Sequence, residues 1–188
     1  MHLWFRLLWL LMTARFRAAL VPPDGVSRLN FRVWPTDCDT NLHMNNGRYL
    51  TLCDLGRTDL MLRSSLWRVV LKNGWMPVLS GAIVRYRREL KPFRAFALES
   101  RIVFWNDRNF VMEHRFVAEH HGHPDVAAIA LVRGGLYDRK ARRFIDPHEI
   151  FRAMGYDGAS PEASKDIAAF MLAEDEMKRQ QGSVIPEG

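Results

Sequence analysis

At 188 residues the chain can hold one domain with a real core, and it is too short for two comfortable ones. Its 48% hydrophobic and 26% charged residues exclude wholesale disorder. Two cysteines, Cys38 and Cys53, exclude a disulfide framework and cannot alone build a zinc site; as free thiols they fit a reducing compartment. The net charge of +6 and pI near 9.7 call for an anionic partner, and arginine outnumbers lysine, which favours bidentate phosphate contacts. Neither zinc-finger spacing nor an RNP-like aromatic motif is present, so nucleic acid is not an expected partner.

The first segment, Met1 to Leu20, carries a dense apolar block from Leu3 to Met12, interrupted by Arg6 and followed by Arg15 and Arg17. A membrane-spanning helix needs roughly 20 apolar residues, and this run is shorter and charged within. It reads as an interfacial helix laying Trp and Leu on a membrane with arginines at the headgroups, or as a helix packed on the protein's own sheet or a partner subunit. Val21-Pro22-Pro23-Asp24-Gly25 ends it by turn chemistry.

Ser27 to Trp34 alternates apolar and polar residues and reads as a strand. After a polar loop from Pro35 to Met44, Asn45 or Asn46 can cap a long helix whose Tyr49, Leu52, Cys53, Gly56 and Leu60 form one buried stripe. A short helix over Ser64 to Lys72 follows. The period then changes to two. Val78, Ser80, Ala82, Val84 and Tyr86 alternate with Leu79, Gly81, Ile83, Arg85 and Arg87, and further strands run over Phe96–Trp105, Phe110–Glu119 and Val126–Tyr137. Gly134-Gly135 marks a bulge or a close backbone approach. Asp146-Pro147 starts a helix ending near Gly155, and Ser160-Pro161 starts another toward Gln181. One strand, a long helix and a run of antiparallel strands make an α+β fold with the sheet wrapped around the helix.

The chemistry concentrates in Thr36-Asp37-Cys38-Asp39-Thr40-Asn41-Leu42-His43-Met44-Asn45-Asn46, between the first strand and the long helix. Unpaired N–H groups at a helix start, here at Asn45 and Asn46, can stabilise an oxyanion. A carboxylate on the adjoining loop, Asp39, can attack a thioester carbonyl or activate water, with Asn41 and His43 orienting the reacting groups.

Asp-x-Asn-x-His followed by x-Asn-Asn-x-x-Tyr resembles the catalytic loop of the hot-dog thioesterases. The functional Asp, Asn and His of the plant acyl-carrier-protein thioesterases match Asp39, Asn41 and His43, and the Asp of the 4-hydroxybenzoyl-CoA thioesterase group also matches Asp39. The stretch from Arg85-Tyr86-Arg87-Arg88 through Trp105-Asn106-Asp107-Arg108 is similar to thioesterase superfamily member six and its bacterial relatives. The later Cys or Glu of some plant-type enzymes has no obvious counterpart here.

The resemblance implies a hot-dog domain over residues 26–146, preceded by an apolar or amphipathic segment over 1–25 and followed by a helical extension over 147–188. It implies hydrolysis of an acyl-CoA to free acid and coenzyme A, without metal or other cofactor, in a homodimer or tetramer. Arg85, Arg87 and Arg88 are the expected contacts of the coenzyme A phosphates, Arg85 and Arg87 on one face and Arg88 opposite. A cytoplasmic location, peripheral at the inner face of a membrane through residues 1–20, is the matching expectation. Alternatives are an acyl-carrier-protein substrate or a non-catalytic acyl-lipid or membrane-associated binding protein on the same fold. Rival readings of the loop are a phosphatase Asp-x-Asp-x-Thr nucleophile, a metal site on Asp37, Asp39 and His43, a Cys38 nucleophile, and a second acid at Asp54.

Overall fold

The computed structural model describes residues 3–21, 23–64 and 66–180. Met1 of the apolar segment, Pro22 of its closing turn, Ser65 of the expected short helix and residues 181–188 of the expected extension lie outside the described residues. Helix α1 spans Leu3–Thr13, strand β1 Ser27–Arg32, helix α2 Asn46–Arg63 and helix α3 Leu66–Asn73. Strands β2 (Trp75–Tyr86), β3 (Ala95–Trp105), β4 (Phe110–His120), β5 (His123–Asp138) and β6 (Arg143–Ile145) follow, then helices α4 (Pro147–Ala153) and α5 (Lys165–Gln180).

Every named strand pairing is antiparallel, in the order β1-β3-β4-β5-β2, with β6 added to β5. Strand alternation divides the core. Phe116, Ala128 and Ala130 face α2, whereas Val111 and Leu131 meet Ile167 and Phe170 of α5 on the other side. The curled sheet holds α2 in its concave face, the hot-dog arrangement expected from the loop resemblance.

The seat of α2 is set by Gly56. A Cβ there would lie 2.2 Å from Ser100 Oγ on β3, so only glycine lets the helix settle on the sheet. Beneath it Ser100 Oγ and His114 Nδ1 share a hydrogen bond of 2.8 Å with both residues at 0% exposure. Asn45 caps the helix, its side chain accepting from Gly47 N–H at 2.9 Å.

Two expectations need correction. The β2–β5 register steps from Leu79↔Gly134 to Gly81↔Arg133, so Ser80 is an extra residue on β2. The strict alternation therefore breaks. Leu79, not Ser80, shares the inner face with Ala82, Val84 and Tyr86, opposite a glycine whose added Cβ would meet Val78 O at 2.9 Å. The last helix starts at Lys165 rather than after Ser160-Pro161, because Ser160 Oγ accepts the Trp105 N–H (2.9 Å) and ties the tail to the end of β3. Strand β6, three residues long, carries too little pattern to be read from sequence.

The buried His114 leads to a pH prediction. Burial first, and the nearby Arg57 charge second, push its pKa from 6.5 down to about 3. The unfolded chain then binds a proton below pH 6.5 that the folded chain refuses until about pH 3, so this residue's contribution to stability falls as pH falls across that window. Urea denaturation from pH 7 to pH 5 should show about 2 kcal/mol of loss from this source. His114→Asn should flatten the slope; an unchanged slope would mean that His114 is not the group responsible.

Candidate active site

The loop ahead of α2 is built around a buried carboxylate. Pro35–Asp37 form a 3-10 turn that turns Asp37 inward, to 2% exposure. Its carboxylate meets Arg6 of α1 (2.5 Å) and Arg48 of α2 (3.2 Å) and accepts the Trp34 N–H (3.0 Å). Its backbone carbonyl accepts the Asn45 N–H at 2.9 Å. Asp37 thus joins the N-terminal helix, the loop and the start of α2.

Cys38 and Met44 then form an isolated antiparallel bridge, and residues 39–43 make a tight hairpin. Asp39 N–H donates to His43 O (3.1 Å) and Leu42 N–H to Asp39 O (3.1 Å), with Leu42 at φ 57°, a left-handed conformation that is strained for a leucine. Met44 N–H donates to Leu90 O (2.8 Å), which ties the hairpin to the body.

The half-buried Asp39 has one oxygen, Oδ1, fixed by Asn41 N–H at 2.9 Å. The other, Oδ2, faces His43 Nδ1 at 3.6 Å, an ion-pair distance too long for a hydrogen bond. Asn41 is exposed and meets Asp39 through its backbone. Of the two expected oxyanion groups, the Asn45 N–H is already donated to Asp37. Among the described residues the Asn46 N–H, first in the helix, has no acceptor, while Tyr86 Oη donates to the Asn46 carbonyl at 2.9 Å. The site therefore offers one helix-start N–H without an acceptor among the described residues and, on the hairpin that leads into the helix, one carboxylate.

Burial, then the Asp37 and Asp39 charges, raise the Cys38 pKa, which keeps the thiol protonated. The antiparallel sheet rules out the parallel fold that a phosphatase nucleophile would require. Among the described residues no three His, Cys, Asp or Glu side chains group as a metal site.

The arginines fall out differently from the expected alternation. Arg87 and Arg88 lie just past β2, where their two N–H groups share one acceptor, Ala127 O, at 2.9 and 3.0 Å. This local doubling brings both side chains onto Asp125, Arg88 Nε at 2.5 Å from it. Arg85 pairs with Ile129 across the strands, while the next residue, Tyr86, reaches inward to Asn46; Arg85 thus sits on the sheet's outer face.

A feature not read from the sequence is an apolar cavity of about 450 Å³ between α2, β2 and the sheet. Leu60, Met61, Leu79, Ile102 and Met112 line it, and Asp54 and Arg57, paired with each other, also reach it. Gly134 and Gly135 border it, and the close backbone approach expected there is present: an added Cβ would meet Val78 O at 2.9 Å from Gly134 and Arg108 O at 3.0 Å from Gly135.

Residues 33–171 match the thioesterase-like superfamily. The chain belongs to this superfamily. It is 32% identical over 120 residues to Protein THEM6 of Xenopus laevis, a match covering 63% of this chain and 58% of that protein. The chain thus spans about three-fifths of the length of such curated relatives. Among solved structures it resembles the probable thioesterase YbaW of Escherichia coli, with TM-score 0.62 and 20% identity, covering 68% of this chain and 97% of that one. A Staphylococcus aureus protein solved in complex with CoA gives TM-score 0.60 at 14% identity, covering 79% of this chain and 92% of that one.

The geometry makes Arg6 a structural lock of the loop. Arg6→Ala would leave Asp37 buried with a weakened counter-charge and should cost about 3 kcal/mol of stability, whereas the exposed Arg15→Ala should cost close to nothing. Chemical denaturation of both variants checks this, and equal losses would refute the lock.

Proposed function

We propose that the protein is a thioester hydrolase acting on acyl-CoA. The observation that carries this reading is the free Asn46 N–H at the start of α2 with Asp39 on the hairpin joined to it. A thioester carbonyl docked at that N–H receives the positive end of the helix dipole as its oxygen becomes negative. Asp39 Oδ2 then attacks the carbonyl carbon, giving a mixed anhydride and releasing coenzyme A thiolate, and water hydrolyses the anhydride. Alternatively Asp39 takes a proton from water, which attacks in its place. Both routes end in free acid and coenzyme A. His43, 3.6 Å from the carboxylate, can orient it or the attacking water through a bridging water.

The apolar cavity beside α2 is the natural place for the acyl group. Arg87 and Arg88, two cations sharing a single carboxylate, keep a positive charge for the coenzyme A phosphates. Arg85, on the outer face, does not join them. Strand β2 ends the sheet with an unpaired edge bearing exposed Leu79 and Ile83, so pairing with the β2 of a second copy would complete a homodimer.

Coenzyme A release, followed with a thiol reagent over short, medium, long and aromatic acyl-CoAs, should show turnover that falls by about a hundredfold or more in Asp39→Asn. A folded wild-type protein inert toward all of them would sink the reading, and light scattering on the same sample reads the dimer directly. If the cavity takes the acyl group, Met61→Trp should move the preferred substrate to shorter chains, with kcat/KM for the longest falling about tenfold or more. An unchanged chain-length profile would place the acyl group elsewhere.

A further inference from the structure

Helix α1 is apolar on both sides. Its inner stripe, Leu3, Arg6, Leu7 and Leu10, packs on the body, with Arg6 at 3% and Leu10 at 3% exposure. Its outer stripe is Trp4, Phe5, Leu8, Trp9 and Met12, continued by Phe16 in the following turn, and Trp4, Trp9 and Phe16 are 75%, 69% and 75% exposed. No charged residue interrupts that outer stripe between Trp4 and Met12. An outward helix face of a water-exposed protein is normally polar, and a contiguous patch of this kind marks something that covers it.

The surroundings say what. A groove of about 420 Å³ runs beside α1 toward α3, lined by Arg15, Arg17, Arg63 and Arg68 together with Leu11 and Trp67, and among the described residues no carboxylate lines it. Arg17 and Arg63 are tied to the buried Asp59 below. Arg15 lies over the Phe16 ring (4.5 Å) and Arg68 over the Trp67 ring (5.3 Å), and among the described residues neither pairs with a carboxylate. A second copy laid on this face would bring these arginines against their own kind. An anionic surface would meet them with opposite charge while the tryptophans enter its apolar layer. No helix in the described residues is long and apolar enough to cross a membrane, so the contact is one of lying on the surface.

We propose that the outer face of α1, with the arginine groove beside it, docks the protein on an anionic phospholipid bilayer. The two ion pairs on buried carboxylates, Arg6 with Asp37 and Arg17 with Asp59, make the docking rigid. They fasten α1 to the loop before α2 and to the last turns of α2, so the body rides at a fixed angle to the bilayer.

The test is flotation of the full chain with vesicles of phosphatidylcholine alone and of phosphatidylcholine mixed with phosphatidylglycerol. Wild type should float with the mixture and far less with phosphatidylcholine. Trp4→Gln/Trp9→Gln, both at exposed positions, should lower partitioning by about a hundredfold. Arg15→Glu/Arg68→Glu should remove the preference for the anionic mixture. Wild type that stays in solution with both vesicles overturns the proposal, as does a tryptophan variant that floats like wild type. Equal binding to both compositions overturns the anionic-headgroup half. A wild-type mass in solution above that of the tryptophan variant, without flotation, would assign the face to a second copy instead.

Discussion

Everything at the site depends on where α2 begins, and that is decided three turns further along, at Gly56. The helix can approach β3 only because no Cβ stands between it and Ser100. A helix is stiff along its axis, so one tight contact at its middle, the Asn45 cap and the bond from Tyr86 together fix the position of its first N–H groups. A site that stabilises charge through a backbone N–H needs this kind of fixation, because the donor cannot move to meet its target as a side chain can. The Ser100–His114 bond under Gly56 is part of the same seat, and its cost is a neutral histidine in the core.

Two further buried carboxylates hold the rest. Asp37 binds the loop to α1 and α2, and Asp59 accepts from Ser27 Oγ at 2.6 Å while pairing with Arg17 and Arg63. Both draw an arginine from the N-terminal segment, and both are almost fully buried. Burying charge of this kind is favourable only when partners are placed well, and here each oxygen has one. The N-terminal segment is therefore part of the structure that positions the loop, rather than an appendage to it.

Much of this was legible from the chain. The change from a helical to a two-residue period after Asn73 separated helices from sheet, and the Asn45 cap marked where the long helix starts and the loop before it ends. Misreadings occurred where spacing alone cannot decide. A bulge at Ser80 flips every later side chain relative to the earlier ones, and nothing in the run Val78–Tyr86 announces it. Arg6 and Arg17 looked like headgroup contacts because their partners, Asp37 and Asp59, lie far along the chain and come close only after folding. Asn45 and Asn46 looked equivalent as donors until the Asp37 carbonyl claimed one of them. The cavity was invisible because it is the sum of what α2, β2 and β5 leave unfilled.

The same arginines explain why one short helix is apolar on both sides. An amphipathic helix ordinarily orients by keeping its charges in water; α1 instead turns Arg6 inward, where Asp37 waits for it, and leaves its largest apolar side chains outside. Hydrophobic burial alone would favour the reverse, with Trp4, Trp9 and Phe5 against the sheet. A buried, paired guanidinium breaks that symmetry, because withdrawing it from Asp37 would strand a carboxylate in the core. The ion pair thus sets the rotation of the helix about its own axis. The exposed aromatic face follows from that rotation.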